Sequence, residues 1–184
     1  MFETQLQNLL SRGYRKPPAK VLAALKEKAL ASTAPYILVI PDDPARTITQ
    51  TTLDGKTKAG RVDRNYKPGE LAKFVPIVEL PSRDAYLVFD VDRGEEFCNV
   101  PPQDALAVIA SRDRTPLTID EGIALITHYP AMLEKNKCFM LGGSRSTDRR
   151  VPAVWISEGA PKLGWCWAGN PHTWLGTASC GWRG

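Results

Sequence analysis

Phe2, Leu6, Leu9 and Leu10 recur at helical spacing through a polar opening, which predicts an amphipathic helix over residues 2–11, halted near Gly13. Pro17-Pro18 opens a second helix, Ala19–Ala31, whose Val21, Leu22, Leu25 and Ala29 share one face. The period then changes. Tyr36–Ile40 (YILVI) is an unbroken run of mostly β-forming residues between two prolines and predicts a buried strand. Residues 42–68 are polar and turn-rich; Ile48–Leu53 followed by Asp54-Gly55 reads as one arm of a hairpin. A short helix is predicted at Pro68–Phe74, then strands at Val75–Leu80 and Ala85–Asp90 around the turn 81–84. Pro101-Pro102 starts a helix that runs through Ser111. Thr118-Ile119-Asp120-Glu121 is a capping box opening a helix that carries Ile123, Ala124, Leu125 and Ile126 and ends around His128-Tyr129-Pro130. Strands follow at Cys138–Leu141, Val151–Ile156 and, last, Leu163–Trp167, with a turn at 159–162. No repeat or linker divides the chain. The expectation is a single α+β domain over 1–184: N-terminal helices, then a mixed or antiparallel sheet with helices packed on it.

Composition limits what such a domain does. The 184 residues are 43% apolar and 24% charged, enough for a core without disulfides and incompatible with wholesale disorder. The formal charge of +4 is spread among interspersed acids and bases, so a nucleic-acid partner is not expected and a small molecule is favoured. Residues 1–11 lack the basic start and apolar run of a signal peptide, and no stretch approaches a membrane span; a cytoplasmic protein with reduced Cys98, Cys138, Cys166 and Cys180 is expected. Oligomeric state and cofactor are not legible.

Candidate chemistry concentrates in 162–183 (KLGWCWAGNPHTWLGTASCGWR), which holds four of the five tryptophans, two of the four cysteines and one of the two histidines. Trp165, Trp167 and Trp174 are expected to wall a pocket. Cys166 and His172, with Asn170 to orient the imidazole, are the residue types of a thiol nucleophile and its base, although packing is the favoured role for a cysteine in a strand between two tryptophans. Cys138, Cys166, Cys180, His128 and His172 are soft ligands suited to zinc, but no CxxC or HxxxH spacing gathers them. The loop Gly142-Gly143-Ser144-Arg145, followed by Asp148-Arg149-Arg150, places a hydroxyl and guanidiniums where an anion would fit; Asp148 pairing with an arginine to fix a turn is the plainer role. Asp90-Val91-Asp92-Arg93-Gly94 starts like a calcium loop without its later ligands and reads better as a turn. Asp120 and Glu121 are assigned to capping, and His128 to the C-terminal dipole of its helix.

The runs RTPLTIDEGIALITHYP, CFMLGGSR, DRRVPAVWIS and PKLGWCWAGNPHTWLGTASC, with FETQLQNLLSRGY and AYLVFDVDRGEE, resemble an uncharacterised family of bacterial proteins common in actinobacteria, classed only as a domain of unknown function. The resemblance covers most of the chain and implies no activity or cofactor. The function expected from the residues is binding or processing of a small anionic or aromatic molecule in a Trp/Arg-lined C-terminal pocket, with His172 and Cys166 as catalytic candidates and Ser144, Arg145, Arg149, Trp165, Trp167, Asn170 and Trp174 as ligand contacts. The alternatives are a non-catalytic interaction or structural protein, and a zinc-binding enzyme or zinc-stabilised domain.

Overall fold

The computed structural model describes residues 1–184 and has the α+β architecture expected, with helices leading and sheets following. Helices α1 (Phe2–Leu10) and α2 (Ala19–Ala31) cover one face of a three-stranded antiparallel sheet formed by β1 (Tyr36–Val39), β4 (Tyr86–Phe89) and β12 (Trp182–Arg183), in the order β1-β4-β12. The alternation of side chains across a strand explains why β1 and β4 are apolar at every position. Tyr36, Leu38, Leu87 and Phe89 face a small core with Phe2, Leu6, Leu9 and Leu25, whereas Ile37, Val39, Tyr86 and Val88 face the main core. No helix is long and apolar enough to cross a membrane.

The main core lies between that sheet and a five-stranded one, with α5 (Ile119–His128) at its centre; eight of its ten residues are buried. The second sheet, of order β10-β6-β8-β9-β2, is built on a hairpin of β8 (Arg150–Ser157) and β9 (Ala160–Trp167), flanked by β6 (Cys138–Met140), β10 (Leu175–Thr177) and β2 (Arg61–Val62). The hairpin turns at Glu158-Gly159, both at positive φ (52° and 75°), the backbone of a tight two-residue turn whose twist matches the strands. The turn therefore sits earlier than the expected 159–162, and Ala160–Lys162 belong to β9. Short bridges complete the set: β3 (Val75–Pro76) with β7 (Ser144–Arg145), and β5 (Thr115–Pro116) with β11 (Ser179–Cys180). Helix α4 (Pro102–Ser111) packs beside β5 and β10.

Several expectations are corrected. No hairpin arm forms at 48–53. Asp43 caps Ala45 N–H at 3.0 Å to start α3 (Pro44–Thr47), which runs into a 3-10 turn at Ile48–Gln50. Pro44 at the first helical position fixes the φ this requires. Pro68–Phe74 is helical only as a 3-10 turn at Leu71–Lys73, and the strand at 75–80 shrinks to two exposed residues. Leu163–Trp167 is not the last strand, since β10, β11 and β12 follow. Asp90 and Asp92 form a turn: Asp92 accepts from Gly94 N–H at 2.7 Å and Asp90 pairs with Arg114.

Helix α5 begins with the full capping box, Thr118 and Glu121 each bonding the other's backbone N–H. At its far end His128 does not act as a cation. Burial pulls its imidazole down to about 4; Nε2 donates to Leu38 O at 2.8 Å while Nδ1 accepts from Asn8. Burial also pushes the Asp120 carboxyl up to about 7. Ordinary values are about 6.5 for His and 3.9 for Asp. The His128 contribution to stability is thus complete above about pH 6.5 and lost as pH falls towards 4, whereas that of Asp120 is complete below about pH 4 and lost as pH rises through 7. The two slopes oppose between about pH 4 and 6.5. Asp120→Asn removes one of them, so this variant should lose stability on acidification from pH 6.5 to about 4.5 more steeply than the parent. Urea titrations at both pH values measure this, and parallel pH profiles would refute it.

Candidate functional site

The β8–β9 hairpin is the scaffold of the site. Its register places Trp155 opposite Lys162, on the same face as Gly164, and the indole of Trp155 lies across that glycine: a Cβ there would stand 2.0 Å from a ring carbon. At the hairpin's open end β9 finishes in Trp165-Cys166-Trp167, and the chain returns through Asn170–Trp174 into β10. That return is pinned by backbone. Asn99 N–H donates to His172 O at 2.8 Å, Cys138 N–H to Trp174 O at 3.1 Å, and Asn170 N–H to Trp167 O at 3.1 Å.

These elements enclose a cleft of about 340 Å³ lined by Asn65, Trp155, Trp165, Cys166, Trp167, Asn170, His172, Trp174 and Leu175. Trp155 and Trp174 meet edge to face at 6.0 Å between centroids, and His172 leans on Trp174 at 5.3 Å. Trp165 and Trp167 form a second edge-to-face pair at 4.9 Å. In such pairs the edge of one ring meets the face of the other, which fixes their relative geometry. Trp165 is held on both sides. Its indole N–H donates to Asn65 O at 2.9 Å and its carbonyl accepts from Asn65 Nδ2 at 3.2 Å. Behind it the Arg150 guanidinium sits 5.1 Å from the Trp165 ring centroid and 5.3 Å from that of Phe74. Arg150 is itself fixed by Glu70 at 3.0 Å and Asp148 at 2.8 Å, and its hydrogen bonds hold the Asp148 carboxyl down to about 2.

The structure brings together Cys166, His172, Trp165, Trp167, Asn170 and Trp174 around one cavity. Cys166 and His172 are not hydrogen-bonded. The thiol donates instead to Met140 Sδ at 3.8 Å, and burial pushes it up to about 12, so it is a protonated, weak nucleophile at neutral pH. Ser144 and Arg145 do not line the cleft. The Ser144 hydroxyl accepts from Ile119 N–H at 2.9 Å and is buried; Gly143 N–H is spent on Leu117 O, and Arg145 Nε donates to Arg150 O. The glycine loop is a packing element in which the Gly143 and Ser144 amides are bonded within the chain. Arg149 differs: it is exposed, makes no ion pair, and its guanidinium stands 3.6 Å from where a side chain on Gly169 would begin, beside the Asn170 rim. No three His, Cys, Asp or Glu side chains gather into a group able to hold a metal ion; His128 and Cys180 belong to other parts of the core.

Two features escaped the sequence reading. Asn65 lies in a segment without hydrophobic period, and only the fold brings it to Trp165; its Oδ1 is buried and accepts no hydrogen bond. Trp182, inside the tryptophan-rich segment, stays out of the cleft and stacks on Phe89 at 4.9 Å and 8° in the other sheet. A family profile described as "Family of unknown function (DUF5701)" matches residues 5–184. No curated protein and no solved structure matches the chain.

Proposed function

The chain belongs to that family of unknown function, and from its own geometry we propose that it binds a small molecule with a flat aromatic or apolar face and an anionic group in the tryptophan cleft. The observation that carries this reading is the convergence of four indoles and one imidazole on a single cavity of ligand size. Trp155 and Trp174 form one wall, Trp165 and Trp167 the other. Asn170 and His172 supply hydrogen-bonding groups, and Arg149 at the rim meets the anion. With Cys166 protonated and no base on it, the cleft favours reversible binding over covalent chemistry; any proton transfer falls to His172, whose ring makes no hydrogen bond within the chain.

The five indole N–H groups provide the test, because Trp182 lies outside the cleft and serves as an internal reference. Titration of indole-3-acetate or benzoate should shift the indole resonances of Trp155, Trp165, Trp167 and Trp174 saturably and leave Trp182 in place. His172→Ala should weaken binding about tenfold with the melting curve unchanged, which corresponds to about 1.4 kcal/mol. Arg149→Ala should remove the preference for indole-3-acetate over uncharged indole. Uniform shifts of all five indoles, or none, would overturn the reading.

A further inference from the structure

A second concave site lies at one end of the three-stranded sheet and shares no residue with the tryptophan cleft. Because β1 and β4 are antiparallel, the residues that leave β1 (Ile40-Pro41) and those that enter β4 (Arg83-Asp84) emerge at the same end. The connection from α1 to α2 (Arg15–Pro18) closes over them. Together they enclose a cavity of about 360 Å³, whose chemistry is the reverse of the first: three cations and one carboxylate on a floor of Pro17, Pro18, Ile40 and Pro41. Arg15, Lys16 and Arg83 take part in none of the chain's ion pairs or side-chain hydrogen bonds, although most other arginines are paired with an acid or a carbonyl.

Asp84 offsets one of these charges, and the cavity lining keeps an excess of two positive charges. Helix α2 starts at Ala19, directly after Pro18, with no side-chain cap, no acid in its first turn and Lys20 within it. The start of α2 thus supplies no carboxylate to offset Arg15, Lys16 and Arg83, whose side chains stand exposed around the cavity with their donors free for an anion. The proline-rich floor keeps the backbone of the cavity fixed, so little ordering would oppose binding. Asp84 is the one acceptor among the donors, and its N–H is bound to Ser82 Oγ at 3.0 Å, which fixes the turn that carries it.

We propose that this cavity is a binding site for a phosphate-bearing small molecule: the phosphate group sits among Arg15, Lys16 and Arg83, and Asp84 accepts a hydrogen bond from a hydroxyl or amine on the same ligand. Guanidinium forks match phosphate oxygens in pairs, and two arginines with one lysine suit a group carrying two or more negative charges. The site is independent of the tryptophan cleft and does not need that cleft to be functional.

Calorimetric titration of inorganic pyrophosphate into the full chain at low ionic strength tests it. Saturable one-to-one binding is expected, weakening as salt is raised. Arg15→Ala with Arg83→Ala should weaken pyrophosphate at least about tenfold, since it removes two charge-assisted contacts, and both residues are exposed and unpaired, so the fold should be retained. Lys56→Ala with Lys135→Ala removes the same charge from exposed positions elsewhere and should change affinity less than about twofold. Amide shifts should centre on residues 15–18 and 83–85. Equal weakening by both double variants, shifts centred on the cleft indoles, or malonate binding as tightly as pyrophosphate would each overturn the assignment, as would the absence of saturable binding.

Discussion

Replacing Glu121 with alanine should cost the fold about 3–5 kcal/mol, the loss typical when one partner of a buried ion pair is removed and the other charge is left without compensation. The carboxylate is fully buried and accepts four hydrogen bonds: from Thr118 N–H at 2.8 Å, Tyr86 Oη at 3.1 Å, and Arg183 Nε and Nη2 at 2.6 and 2.8 Å. Its removal takes away the Glu121 half of the α5 capping box, orphans a buried phenol, and leaves the Arg183 guanidinium with only the Thr115 hydroxyl and Pro116 O. Denaturant unfolding reads the cost. Glu121→Gln, which keeps an acceptor for Thr118 but loses the charge, should fall between the parent and the alanine variant. Pairing Glu121→Leu with Arg183→Met should recover part of the loss, because two apolar side chains leave no isolated charge. A loss under about 1 kcal/mol in Glu121→Ala would mean that Arg183 regains water by release of β12, and that this strand contributes little to the sheet.

Gly164→Ala should destabilise the chain by about 1–3 kcal/mol through overpacking and collapse the tryptophan cleft at the same time. The Trp155 ring rests on Gly164 so closely that three of its carbons lie within 2.9 Å of the position a Cβ would take. Gly164 backbone cannot retreat easily, since its carbonyl accepts from the buried Tyr66 hydroxyl at 3.0 Å and both neighbours are locked in the β8–β9 ladder. The ring must therefore swing away, which breaks its edge-to-face contact with Trp174. Binding of indole-3-acetate should fall more than tenfold. Adding Trp155→Phe gives back room for the methyl group and should restore most of the stability but not the binding wall. If Gly164→Ala binds the probe as the parent does, Trp155 is not part of the site.

Much of the helical half was legible because its signals are local. The spacing of Phe2, Leu6 and Leu9, the prolines before α2 and α4, and the Thr118–Glu121 box each mark their own helix without help from the rest of the chain. The YILVI and AYLVFD runs likewise read as strands buried on both faces, although nothing in them tells which residue serves which core. Legibility fails where structure depends on distant partners. β5, β7, β11 and β12 are two residues long, too short to carry a period, and exist because another segment lies alongside. The hairpin arm expected at 48–53 does not form because Thr51, a strand-former by composition, turns its hydroxyl onto Ile48 O, as Thr47 does onto Asp43 O just before it, and both support helical turns instead. The same holds for chemistry. The aromatic wall was visible as a cluster in the sequence, whereas Asn65, the burial of Cys166 and the commitment of Ser144 to α5 follow only from tertiary packing. Glu121 shows the difference within one residue: its capping role is written in the local motif, its pairing with Arg183 is not.

The nine residues from Leu175 to Arg183 contribute β10 to the five-stranded sheet, β11 to the pair with β5, and β12 to the three-stranded sheet. One continuous ribbon thus stitches three separate ladders, and each stitch is short. Detaching any one of them loosens its neighbours within two residues along the backbone, so a strain applied at the tryptophan cleft through Leu175 has a direct mechanical route to the Glu121–Arg183 pair on the far side of the main core.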